Sequence, residues 1–246
     1  MILYVDCSRG LACDMLCGAL LGLFEDKSVI LQEMQDNLPK NISLSADCAK
    51  SYDRNGLLFC IRDADWKLCS HGHGTSFCEV KDKILQTSFS SEIKARALEV
   101  YGIIAKAECS VHGEDIEHIH FHEVGQNRAI YGIVCACFLF EKAIKLLDVE
   151  RVVFSPINIG FGKTVCAHGE VDVPAPATKQ ILKTGMPHFF NGICGELCTP
   201  SGCALAKCFA DGYAEQNALS AERESIGLGT KDIGVANGVD AFIKMS

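Results

Sequence analysis

No stretch of this chain is long enough to cross a bilayer: the apolar run Leu16 to Phe24 falls well short of the roughly 20 residues a spanning helix needs. A basic excess is also missing. With 23 Lys and Arg against 31 Asp and Glu the formal charge is −8, which argues against nucleic acid, because phosphate backbones are bound by clustered cations. Neither a GxxxxGK[ST] loop nor a GxGxxG fingerprint occurs, so P-loop and dinucleotide folds have no support. Fifteen cysteines are present without a paired CxxC knuckle, and an odd number cannot all pair within one chain. Most read as small buried hydrophobes; Cys13 with Cys17, and the group Cys194, Cys198, Cys203 and Cys208, leave a soft-metal or redox role open. Free thiols, and a start on apolar Ile2 to Val5 without a basic leader, give the expectation of a cytoplasmic protein that binds no membrane.

What the chain does have is His118-Ile119-His120-Phe121-His122-Glu123-Val124-Gly125. In an extended strand alternate side chains share a face and repeat at roughly 6.6 Å, so the spacing predicts a row of imidazoles on one face with Ile119 and Phe121 anchored in a core. Imidazole suits nickel, zinc, copper and iron. His120, His122 and Glu123 are the leading candidate ligands. Glu123 falls on the opposite face of a strand, so it either orients an imidazole or sits past the strand's end. His112 is expected to join from the preceding loop, and His168 from a glycine-flanked turn; His71 and His73 are weaker candidates.

At 246 residues the chain can bury a full core, as one compact mixed α/β unit of alternating strands and helices, with two subdomains as an alternative. Ile2 to Val5 reads as a strand ending at Asp6, and Leu11 to Phe24 as a helix. Residues 42 to 48 and 57 to 65 read as a hairpin turning through Asp53, Asn55 and Gly56. Helices are expected from Ser90 or Ser91 to about Ser110, with Ser91 as the cap, and from Arg128 to Leu147. Strands follow at 151 to 154 and 156 to 160. Val173 to Thr178 and Thr199 to Gly202 each lead through proline into a helix. Ser220 to Ile226 and Val239 to Lys244 close the chain as strands, with Gly227, Gly229 and Gly234 in the turns. Asp6 at a strand end and Asp14 in the next helix are candidates to hold a hard divalent cation, and Thr199, Ser201 and Gly202 to present helix N-terminal amides to a phosphate.

In order along the chain, Asp6-Cys7 with Gly10 and Asp14-Met15, Val111-His112-Gly113, and the string from His120 to Gly125 resemble one family. So do Ala167-His168-Gly169 leading to Val173 to Thr178, Gly195-Glu196-Leu197 with Thr199-Pro200 and Gly202, and Gly229-Thr230-Lys231-Asp232. The family is that of the nickel insertion proteins, which make the nickel-pincer nucleotide cofactor of lactate racemase. The resemblance implies insertion of nickel into the pyridinium-3,5-bisthiocarboxylic acid mononucleotide precursor, a lyase-type chelation, with CTP and manganese or magnesium used by family members. Residues 1 to 246 then correspond to the metal-handling N-terminal part. The family's nucleotide-binding C-terminal domain lies beyond it, and a separate chain carrying that domain, or a second copy of this chain, is an expected partner.

Two departures stand out. Where the family continues after HEVG with a segment of the form AVDSIVDI, this chain has Gln126-Asn127-Arg128-Ala129-Ile130-Tyr131-Gly132-Ile133, losing both acids. Its opening motif has Arg9 and Cys13 in place of a serine and a glycine. A non-catalytic descendant that binds metal or a partner is therefore a second reading, and a metal-dependent hydrolase a third.

Overall fold

The strongest packing constraint lies between a helix and a glycine. The computed structural model describes residues 1–65, 74–166, 169–215 and 220–245. Its strands are β1 (Ile2–Asp6), β2 (Ile42–Ser51), β3 (Arg54–Asp63), β4 (Thr75–Ser76), β5 (His120–Phe121), β6 (Arg151–Phe154), β7 (Ile157–Asn158) and β8 (Gly160–Phe161). They continue with β9 (Lys163–Cys166), β10 (Gly169–Asp172), β11 (His188–Phe189), β12 (Gly195–Glu196), β13 (Gly212–Tyr213), β14 (Ala221–Leu228) and β15 (Gly238–Lys244). The helices are α1 (Cys13–Gly22), α2 (Lys27–Asp36), α3 (Phe77–Leu85), α4 (Ser91–His112), α5 (Asn127–Leu146), α6 (Pro176–Leu182) and α7 (Pro200–Phe209).

Seven strands form one mixed sheet in the order β13-β6-β1-β15-β14-β3-β2. β1, β6 and β13 run parallel, and β15 lies antiparallel between β1 and β14. Directly opposed residues share a face, so Leu3, Val5, Ser225, Gly227, Val239, Ala241 and Ile243 point to one side. There α1 packs on β14, β3 and β15, and α5 on α1. A Cβ at Gly227 would lie 1.8 Å from Met15 O and 2.4 Å from Ala19 N, so only glycine lets α1 lie this close. Gly227 therefore sits inside β14 and not in the turn its composition announced.

Other boundaries moved for equally local reasons. Leu11 and Ala12 stay outside α1 because Leu11 is stitched to the chain before α7: Leu11 N donates to Leu197 O at 2.7 Å, and Thr199 N donates to Leu11 O at 3.0 Å. The hairpin turns at Tyr52 (φ 51°) and Asp53, so Asn55 and Gly56 lie in β3. α4 is capped by Ser90, whose side chain accepts from Ile93 N at 3.4 Å, and not by Ser91; it ends at Gly113 in the left-handed region. The short helices α2 and α3 were not read from the sequence. α3 begins at a capping box in which Ser76 and Glu79 exchange hydrogen bonds.

One continuous core joins residues from β1 through β15, including Leu16, Phe59, Tyr101, Phe121, Phe140, Phe154 and Leu205, which matches the expectation of one mixed α/β unit. Among the described residues no helix is long and apolar enough to cross a membrane.

Two glycines test how far packing, as opposed to propensity, decides stability. Gly227→Ala should destabilise by roughly 2–4 kcal/mol because backbone must move. Gly102→Ala, in the middle of α4 with nothing within 4 Å of the new methyl, should instead stabilise by about 0.5–1 kcal/mol. Denaturant midpoints at constant m-value measure both.

Candidate metal and nucleotide site

The histidine string divides into buried anchors and exposed donors. Ile119 and Phe121 are each 1 % exposed, as alternation requires. Phe121 meets Phe77 and Tyr101 edge-on at 6.0 and 5.9 Å, and Tyr101 Oη donates to Val124 O at 2.7 Å. Gly125 is forced by proximity, since a Cβ there would lie 2.9 Å from both Phe121 Cβ and Thr75 Cβ. His118, His120, His122 and Glu123 are left exposed.

The expected row of three imidazoles on one strand face does not form. Only His120 and Phe121 are in a strand, paired with Ser76 and Thr75; His118 lies in a turn and His122 precedes a 3-10 turn over Glu123–Gly125. Glu123 thus sits past the strand's end. The cause is the short partner: β4 offers two residues, and the ladder stops with it. His120 Nδ1 lies 2.8 Å from His118 O, and a carbonyl can only accept, so Nδ1 carries the proton and the Nε2 lone pair is available to an ion. His112 is the last residue of α4 and not a loop residue; it lies 3.7 Å from Glu108, one turn earlier. His71, His73 and His168 lie outside the described residues. Among the described residues no three His, Cys, Asp or Glu side chains converge as a metal cage.

The two aspartates have different surroundings. Asp6 ends β1 opposite Asp240 of β15, on the face away from α1, and accepts from Ser8 N at 2.7 Å. Asp240 is paired with Arg54 at 2.5 Å, while burial pushes its carboxyl up against that pairing. Asp14 is in the first turn of α1. Burial raises its carboxyl from the usual range, opposed by the backbone N–H groups of Met15 and Asp14 and by the charges of Arg128 and Lys231. The charge of Arg128 therefore favours an ionised Asp14.

Thr199, Ser201 and Gly202 carry the start of α7. Thr199 Oγ1 accepts from Gly202 N at 3.3 Å and lies 3.2 Å from Ser201 Oγ. A Cβ at Gly202 would be 2.4 Å from Leu11 O, so this glycine serves the packing of α7 on the loop before α1. The same loop is held by Asn158, fully buried, whose amide donates to Ser8 O and Asn191 Oδ1 at 2.9 Å each while its oxygen accepts from Gly160 N. Sequence reasoning passed over Asn158; one polar residue in an otherwise apolar strand was its only signal.

A cavity of about 460 Å³ opens beside these elements, lined among others by Lys163, Thr164, Glu170, Glu196, Lys231 and Asp232. Lys231 bonds Glu196 at 3.0 Å, Lys163 bonds Glu170 at 2.6 Å, and Asp232 accepts from Tyr52 Oη. The sequence had flagged Glu196, Lys231 and Asp232 only as parts of motifs. The clustered thiols have no such setting: Cys13, Cys17, Cys198 and Cys203 are buried, burial raises Cys17 and, after its contact with Cys203, Cys198, and Cys208 is pushed up to about 11. Cys13, Cys17, Cys198 and Cys203 pack as small hydrophobes, whereas Cys194 is exposed.

A carboxyl raised above its unfolded value stabilises the fold only while protonated; that contribution is present at low pH and is lost as pH rises through the native value. Asp14→Asn should therefore melt higher than the parent at neutral pH, with the gap closing as pH falls through the carboxylate range. An unchanged or lower melting point at neutral pH would show that the amides and the two cations outweigh burial.

The model of the nickel insertion protein family matches residues 3–246. The pyridinium-3,5-bisthiocarboxylic acid mononucleotide nickel insertion protein of Desulfitobacterium hafniense (strain DSM 10664 / DCB-2) is 34% identical over 237 residues, 95% of this chain and 56% of its own length. Proteins of the same name from Staphylococcus saprophyticus and Geobacillus kaustophilus are 33% and 32% identical, covering 98% and 94% of this chain and 59% and 56% of their own. The chain thus spans somewhat more than half the length of these relatives. No solved structure matches it. With the family match running from residue 3 to residue 246, through the whole sheet and the histidine string alike, the chain belongs to the nickel insertion protein family.

Proposed function

We propose that the chain delivers nickel to the pyridinium-3,5-bisthiocarboxylic acid mononucleotide, the substrate in the names of its relatives. The observation that carries this is the presentation of His120 and His122 on solvent from a rigid base, Phe121 being locked between Phe77 and Tyr101. Nickel here is cargo. A full cage would retain it, whereas imidazoles at an exposed edge bind an ion of intermediate softness and yield it to the substrate's sulfur donors. Glu123, His112 and His168 are further candidate donors, and the cavity at Lys231 and Lys163 is the candidate seat of the nucleotide, with Thr199, Ser201 and Gly202 holding the neighbouring helix start. Asp6 and Asp14 do not fit a resident manganese or magnesium ion, because Asp14 lies within the field of the Arg128 and Lys231 cations and no three-donor group is assembled among the described residues. No step is routed through CTP; a chain carrying the relatives' remaining length, or a second copy, is the proposed partner. The compartment is the reducing cytoplasm, in keeping with described cysteines that are all free thiols.

A second reading, a descendant that binds nickel without inserting it, draws on Arg128, whose charge acts on Asp14. Untagged, metal-free protein should take up nickel stoichiometrically, and His120→Ala with His122→Ala should weaken uptake by more than the roughly 10–100-fold that loss of an outer partner costs. Unchanged uptake rejects the site. Conversion of the precursor to its nickel form, with or without a chain supplying the remaining length, separates insertion from mere binding.

A further inference from the structure

The seven-stranded sheet has two edges, and one of them is long. β13 closes one side with two residues, whereas β2 closes the other with ten and pairs with β3 in an unbroken register from Ile42↔Asp63 to Ser51↔Arg54. Long edges are usually blunted by proline, a bulge or clustered lysine, because their outward N–H and C=O groups are a template for another strand. β2 has no proline, no register shift in its ladder and one lysine, Lys50.

Alternation decides which backbone groups face out. Asn41 O accepts from Ala64 N at 2.9 Å, so odd-numbered residues turn their groups toward β3 and even-numbered ones turn theirs outward. The first outward position is already filled. Gln35 of α2 donates through Nε2 to Ile42 O and accepts from Leu44 N through Oε1, both at 2.8 Å, which is what a neighbouring strand would do there. At the other end Tyr52, with φ 51°, turns the chain away just past Ser51. Between these two stops the outward groups of Ala46, Cys48 and Lys50 have no hydrogen-bonding partner among the described residues, and Asp47, Cys48 and Lys50 are exposed.

The two stops favour one mate. A two-fold pairing presents the same surface from both copies, so antiparallel strands must be centred on a residue that faces itself. Centred on Cys48, the outward groups of Ala46, Cys48 and Lys50 meet those of the partner's Lys50, Cys48 and Ala46, and the ladder ends short of both Gln35 and Tyr52. Asp47 then lies opposite the partner's Ala49 and Ser45 opposite the partner's Ser51, so no like charges are directly opposed. Centred one residue earlier, Asp47 would face the partner's Asp47, and Lys50 would face the partner's Leu44, whose N–H Gln35 already holds. Centred one residue later, Ala46 would fall opposite the turn at Tyr52 and its bonds would be lost.

We infer that β2 pairs antiparallel with β2 of a second copy of this chain across a two-fold axis at Cys48, joining two sheets into one. This gives a surface to the second copy named among the proposed partners, and it rests on neither nickel nor the histidine string. Directly opposed Cα atoms in a hydrogen-bonded antiparallel pair lie about 5.5 Å apart, inside the roughly 4.4–6.8 Å that a disulfide spans.

Isotope-labelled and unlabelled metal-free chains are mixed, sized by sedimentation velocity, and oxidised with diamide, which takes up the two thiol hydrogens as the Sγ–Sγ bond forms. Peptide mass spectrometry should find a mixed-isotope Cys48–Cys48 link as the dominant product of a concentration-dependent dimer, with little from the exposed Cys78 and Cys194. In a Cys48→Ser background, Ala46→Cys chains should link to Lys50→Cys chains at least about tenfold faster than to one another, because the two copies of position 46 are offset by ~13 Å along the strands. Lys50→Pro, which deletes an outward N–H and no bond within the chain, should weaken dimerisation roughly tenfold or more, whereas Lys50→Gln, which keeps the N–H, should not. A monomer at every concentration, as when a different chain takes this edge, a dimer whose links follow another register or surface, or one indifferent to Lys50→Pro would each overturn the assignment.

Discussion

Backbone touching backbone at Gly227 governs this molecule. With no side chain between β14 and α1, the helix settles directly on the strand at Met15 and Ala19, and Gly18 repeats the arrangement from the helix side against Leu57 O. The start of α1, and with it Asp14, is thereby fixed relative to the ends of β14 and β15. The loop before α1 is fixed in turn, since Leu11 bonds to the segment that opens α7 and Gly202 packs on it. Two helix starts and a strand end are brought together by contacts that contain almost no side chain, with Gly18, Gly202 and Gly227 at the points of approach.

The motifs therefore carry two kinds of information. In the stretch from His120 to Gly125, Phe121, Val124 and Gly125 answer to packing, and His120, His122 and Glu123 to solvent. In the segment from Thr199 to Gly202, threonine caps, proline starts and glycine admits a neighbouring backbone. Likeness of sequence alone cannot separate these duties, whereas burial and a hypothetical Cβ separate them residue by residue.

The long elements were legible from their apolar residues: α4 and α5 by buried stripes repeated over many turns, β1 by its continuous apolar run. Turns and short elements were less so. Asn55 and Gly56 look like turn chemistry, yet the hairpin closes at Tyr52 and Asp53; Gly227 looks like punctuation, yet it is the floor under a helix. At the candidate site, the alternation of histidines was read correctly as anchored by Ile119 and Phe121 but wrongly as a continuous strand, because strand length is set by the partner, and β4 has two residues. The surroundings of Asp14, which feels the charges of Arg128 and Lys231, and of Glu196, which bonds Lys231, depend on residues distant along the chain and leave no local trace.

The single register pair between β3 and β14 divides the sheet mechanically. On one side lie β13, β6, β1, β15 and β14, laddered strand to strand; on the other, the β2 and β3 hairpin also packs on α1 and α5. Amide hydrogens of the hairpin should therefore exchange with solvent as a separate cooperative unit, faster than those of β1 and β15, and tightening of α1 against Leu57 will be felt there before it reaches the rest of the sheet.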